Sequence, residues 1–130
     1  MRPIRTAVLG AALLLFAVGA ATGAWARSPA MDAVIKYRTA TQANIDALDQ
    51  ATEDGDKYAG CRALDGMMRN ARATANALVD LIEETKADRD LSDEERARRL
   101  GYFRDDWDTY DKMARDVSNS MDLCSGIDYR

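Results

Sequence analysis

Along the chain, apolar side chains recur at intervals of three and four residues, and no stretch alternates with period two for long enough to form a strand. Two segments carry this helical spacing without a slip. One places Cys61, Leu64, Met68, Ala71, Ala75, Leu78, Ile82 and Thr85 on one face, and the other does the same for Leu100, Phe103, Trp107, Tyr110, Ala114, Val117, Met121 and Cys124. A weaker stripe of Met31, Val34, Tyr37, Ile45 and Leu48 precedes them, interrupted by Thr41 and Asn44.

Local end signals divide these stripes into three helices. Ser28 before Pro29 is an N-cap followed by the residue best tolerated in the first turn, so the first helix is expected over 29–51. The run Thr52, Glu53, Asp54, Gly55 supplies a turn, and Asp56 supplies the next cap. The second helix is expected from 57 to between 86 and 90. Ser92 with Glu95 three residues on forms a capping box for a third helix over 93–124, which Ser125 and Gly126 terminate.

Folding the second helix back on the third makes the stripes mirror one another, with Cys61 opposite Cys124 at one end and Ala75 opposite Tyr110 in the middle. The fold class is therefore all-α: an antiparallel three-helix up-down-up bundle with one disulfide. Gly66 within the second helix is read as a point of close approach for the first helix, and Gly60 as part of the first turn before Cys61.

The segment before the bundle has a different character. Arg2 and Arg5 precede an uncharged run through Ala26 centred on Leu13, Leu14, Leu15 and Phe16, ending Ala24-Trp25-Ala26. This is the layout of a cleavable signal peptide, residues 1–26, leaving a helical bundle domain at 27–130. An uncleaved anchor is the rival reading; Gly10, Gly19 and Gly23 dilute the apolar run, and Arg27 on the exported side opposes it. No stable membrane anchor is expected after cleavage, and the localisation is periplasmic or secreted. In such an oxidising compartment the two cysteines are expected to pair, free buried thiols or an intermolecular link being the alternatives.

Charge narrows the partners. The leader takes two of the 18 basic residues and none of the 22 acidic ones, leaving a domain of net charge −6 that repels phosphate backbones and anionic headgroups. Nucleic acid is excluded as a partner on that basis. The chain contains no histidine, which removes the usual general base and the commonest metal ligand, and it has no nucleophile elbow or glycine-rich nucleotide loop. The reading is not an enzyme, with no cofactor.

Three features remain as candidates. Asp105, Asp106, Asp108 and Asp111 cluster around Trp107 and Tyr110, which reads as a cation site or a docking patch for a basic partner, or else as a set of helix-surface ion pairs, Arg104 with Asp108 and Asp111 with Arg115. Methionines 31, 67, 68, 113 and 121 are potential soft ligands for Cu(I), although methionine at these spacings ordinarily fills a core; Met67 and Met113 lie beside the stripes, where they could line a face for a partner or apolar ligand. The C-terminal tail adds Tyr129. Asp88, Asp90, Ser92 and Glu94 alternate like the start of a calcium loop, but Asp93 and Arg99 stand where that loop needs glycine and a bidentate glutamate.

The stretch from Leu91 to Arg96 is similar in outline to the L-T-x-x-Q motif of helical-hairpin periplasmic stress chaperones. Ser stands for Thr, Glu for Gln, and one copy for two, so helix capping accounts for the same residues. The functional expectation is a small exported protein acting by protein–protein binding, as an inhibitor, immunity factor, adaptor or chaperone-like module, through Asp105, Asp106, Trp107, Asp108, Asp111 and Tyr129. The alternative is a bundle binding an apolar small molecule or a soft metal such as Cu(I).

Overall fold

The computed structural model describes residues 28–130; the expected signal peptide lies outside them. Three helices follow one another: α1 (Pro29–Asp54), α2 (Lys57–Ala87) and α3 (Asp93–Ser120), with a short 3-10 turn (Met121–Cys124) behind α3. The short connections make the helices run up, down and up.

Each start is set by the expected side chain. Ser28 Oγ accepts from Met31 N at 3.1 Å, Asp56 Oδ1 from Ala59 N at 3.0 Å, and Ser92 Oγ from Glu95 N at 3.1 Å. Each relieves one of the orphan N–H groups of a first turn. The capping box is only half made, because the Glu95 carboxylate takes Arg98 and Arg99 instead, at 2.7 and 2.8 Å.

Two ends differ from expectation. α1 continues one turn past Ala51 and stops at Gly55, whose φ of 66° is the left-handed conformation that closes a helix; Asp56 N then donates to Ala51 O at 2.9 Å. At the other boundary, α3 gives way at Ser120 to the 3-10 turn, and Gly126, at φ 80°, ends the irregular stretch. The tighter turn still leaves Cys124 buried against Cys61, with Cα atoms 5.8 Å apart and the disulfide formed. That bond fixes the α2–α3 register at the expected end of the hairpin.

α2 is the central helix, packed on one side by α1 and on the other by α3. Packing between two neighbours requires two apolar stripes, and α2 has both. Besides the expected face, it buries Ala63, Met67, Thr74, Ala77 and Leu81, a second stripe about 100° round the helix. Gly66 and Asn70 share that second face and touch Asn44 of α1, the two amide side chains meeting at 2.8 Å. The second stripe is therefore the α1 side.

The same logic rotates the buried face of α3. Phe103, Asp106, Tyr110, Met113, Ala114 and Val117 are enclosed, whereas Leu100, Trp107 and Met121 are only half-buried. On α1 and α2, Met31, Tyr37, Leu64, Met68 and Ile82 are likewise half-buried rather than central. Thr41, which reads as an interruption, is fully buried, because its hydroxyl donates to Tyr37 O at 2.8 Å and carries no unmet polar demand into the core. Thr74 and Thr85 do the same toward Asn70 O and Leu81 O.

Candidate functional site

The acidic run of α3 splits between two environments. Asp105 and Asp108 are exposed, and Asp111 is half-buried in an ion pair with Arg115 at 3.1 Å. Asp106 is not a surface residue at all: it is 5% exposed, on the α3 edge that turns toward α1. The helical period explains this, since Asp106 stands four residues before Tyr110 and three after Phe103, both enclosed. The expected Arg104–Asp108 pair does not form, and among the described residues neither side chain has an ion-pair partner.

Trp107 is half-buried on the opposite edge of α3. Its ring packs against the core and, with Ile82 and the 44% exposed Val79 of α2, lines an outward-facing groove of about 380 Å³ whose rim is formed by Arg104 and Asp108. Of the expected binding residues, the structure thus brings Trp107 and Asp108 together on one groove, leaves Asp105 exposed outside its lining and removes Asp106. Tyr129 lies elsewhere: about 20 Å of helix separates Trp107 from the end of α3, beyond which Tyr129 packs under the Arg130 guanidinium, 5.8 Å from its ring. Val79 and Ile82 were visible in the sequence only as members or neighbours of the α2 stripe; the fact that the second stripe takes α1 is what leaves them uncovered.

Two further clefts open at the ends of the bundle. Beside the disulfide, Leu48, Ala51, Leu64, Leu123 and Ile127 line a shallow apolar cleft of about 410 Å³. At the other end, Met31, Leu81, Glu84, Asp88, Leu91 and Phe103 border a more polar cleft of about 510 Å³. The interior between them is filled by Tyr110, Phe103, Met67, Leu78, Val34 and Val117.

The methionines serve this packing. Met67 and Met113, expected beside the stripes on a face for a partner, are instead 2% and 4% exposed members of the core. Met31 stands near the start of α1 and Met121 near the disulfide, at opposite ends of the bundle, so the five sulfurs are spread along its length. Among the described residues no group of three Cys, Asp or Glu side chains is placed to hold a metal ion, and no helix is long and apolar enough to cross a membrane.

Between α1 and α3 lies the most unusual chemistry. Burial raises the Asp106 carboxyl to about 7; the attraction of Arg38 works against that rise and the neighbouring Asp105 adds to it. Burial likewise pushes the Tyr110 hydroxyl upward. Asp106 Oδ2, Tyr110 OH, Arg38 Nη1 and Gln42 Oε1 are all enclosed without a hydrogen-bond partner. The chain, compared with known protein families, characterised proteins and solved structures, matches none of them.

Proposed function

We propose that this protein works by binding another protein through the groove between α2 and α3 formed by Val79, Ile82 and Trp107. The observation that carries the reading is that groove itself: the exposed Val79 and the half-buried Ile82 and Trp107 form an apolar surface on the outside of a bundle whose larger apolar side chains are otherwise mostly enclosed. Amphipathic aromatic side chains at a partly exposed position are typical anchors of protein interfaces. The flanking Arg104 and Asp108, with no ion-pair partners among the described residues, define the complement. The partner presents an apolar side chain between an acidic and a basic group.

The absence of histidine and the acidic surface support a binding role over bond chemistry or nucleic-acid recognition. The disulfide supports an oxidising location, and the leader-like N-terminus points the same way, to the periplasm or the cell exterior. Within the binding class, inhibitor, immunity, adaptor and chaperone-like roles share this geometry.

A photo-crosslinking residue in place of Val79, with the exposed position 46 on α1 as control, tests the assignment in the native envelope fraction. The expected result is a discrete crosslinked protein from position 79 that disappears in Trp107→Ala. Equal labelling from both positions, or insensitivity to Trp107→Ala, removes the groove as the binding site. A second reading rests on the apolar cleft beside the disulfide, which has room for a small hydrophobic molecule. Native mass spectrometry of the purified protein showing a bound lipid-like mass would favour it.

A further inference from the structure

α1 is held differently on its two sides. Against α2 it packs through Val34, Thr41, Ile45 and Leu48, and Asn44 sits on Gly66. Toward α3, no Cα of α1 comes within 8 Å of a Cα of α3, so the two helices meet through side chains alone. The disulfide ties α3 to α2, while the covalent link of α1 to the bundle is the turn at Gly55 and Asp56.

Both helices carry enclosed polar side chains near this seam. Arg38 and Gln42 stand one turn apart on α1, and Asp106 and Tyr110 one turn apart on α3. Each contributes one enclosed polar atom without a hydrogen-bond partner. Arg38 is near enough to act electrostatically on both Asp106 and Tyr110, yet no close ion pair joins it to the carboxylate. The charged groups acting on Asp106 are Arg38 from α1 and Asp105 from its own helix; the buried face of α2 beneath it contains no ionisable side chain. A buried carboxyl in this position is tolerated when neutral, because the proton removes the charge and adds a donor. Ionised, it requires water or a direct partner. The rise of the Asp106 carboxyl to about 7 places that change close to neutrality.

We infer that the α1–α3 seam is a proton-controlled contact, closed when Asp106 is protonated and opened to water, by movement of α1 on α2, when Asp106 is ionised. The inference is independent of the groove on the far edge of α3. In this proposal α1 is the part that shifts, because the disulfide ties α3 to α2.

Hydroxyl-radical labelling of the intact protein reads the seam directly at Tyr110, which is fully buried, with Leu78 on the α3-facing stripe of α2 as an internal reference. The expected result is a severalfold rise in Tyr110 oxidation relative to Leu78 between about pH 6 and about pH 8, as the raised carboxyl ionises. Asp106→Asn, neutral at every pH, is expected to hold Tyr110 protected throughout. Arg38→Gln removes the charge that favours the carboxylate, and is expected to move the midpoint of the rise to higher pH. Parallel exposure of Tyr110 and Leu78, a flat profile in the parent protein, or a pH dependence that survives Asp106→Asn each overturns the inference.

Discussion

Gly66 of α2 lies directly beneath Asn44 of α1, so close that a Cβ on Gly66 would stand 2.8 Å from Asn44 Cγ. Real side chains do not approach to that distance, and Asn44 is a short, half-buried side chain already engaged with Asn70. Glycine in mid-helix costs about 1 kcal/mol in propensity relative to alanine. Here the close approach offsets that cost by allowing the two helices to pack.

Gly66→Ala is therefore expected to destabilise the protein, by about 1–3 kcal/mol of overpacking less about 1 kcal/mol of regained propensity. Gly101, in α3 with nothing within 4 Å of its would-be Cβ, is the matched control. Gly101→Ala is expected to stabilise by up to about 1 kcal/mol. Urea unfolding of the two variants checks the opposite signs, and adding Asn44→Ala to Gly66→Ala is expected to restore most of the loss.

The Cys61–Cys124 bond closes a loop of 63 residues, which corresponds to about 4 kcal/mol in the chain-entropy account. A domain of this size has a total stability of roughly 5–10 kcal/mol. Cys61→Ser or Cys124→Ser is expected to leave a helical protein by circular dichroism with a strongly lowered melting temperature, and reductant is expected to have the same effect on the parent. Melting within a degree or two of the parent in all cases would show that the bond contributes little.

The three helices and the sulfur bridge were legible because their signals are local or arithmetical: Ser28, Asp56 and Ser92 act within one turn, and two cysteines on unbroken stripes have one way to pair. The second stripe of α2 was not legible, since Ala63, Ala77 and Thr74 look neutral until a helix is known to pack over them. Asp106 was hidden for a related reason. Charge patterning assigns an aspartate among aspartates to the surface, whereas the helical period had already placed it between Phe103 and Tyr110. The groove at Trp107 follows from the same competition for faces: with α1 on the second stripe, Val79 has nothing to cover it.

Arg96 shows how a loop can be held by one side chain. Its Nη2 donates to Asp88 O at 2.6 Å and Leu91 O at 3.1 Å, and its Nη1 to Asp93 at 2.8 Å, spanning the whole α2–α3 connection. Charge-assisted bonds to carbonyls contribute more than neutral ones. Arg96→Ala is expected to cost about 1–3 kcal/mol and to speed amide exchange at residues 88–91, whereas the exposed neighbour Arg98→Ala, whose Glu95 partner keeps Arg99, is expected to leave stability close to that of the parent. Equal losses in the two variants would argue against the clamp.

Asp106 gives the bundle a pH dependence of unusual sign. Most carboxylates in folded proteins are depressed, as Glu95 is by its bonds to Arg99 and Arg98, and their stabilising effect fades as pH falls. The Asp106 carboxyl is raised instead, from 3.8 to about 7, so the folded state holds a proton that the unfolded chain has already released. Its favourable contribution is complete below the unfolded value and is lost as pH climbs through the folded one. Asp106→Asn removes the ionisation while keeping the shape, and is expected to raise stability above neutrality by about 1–3 kcal/mol, the cost of an unsatisfied buried polar group. The gain over the parent should shrink steadily as pH falls from neutrality and level off by about pH 3, where the parent carboxyl is protonated in both states. Denaturant midpoints of the two proteins, compared across that range, measure the difference; a gap that widens toward acid would mean that Arg38 stabilises the Asp106 carboxylate more than burial opposes it.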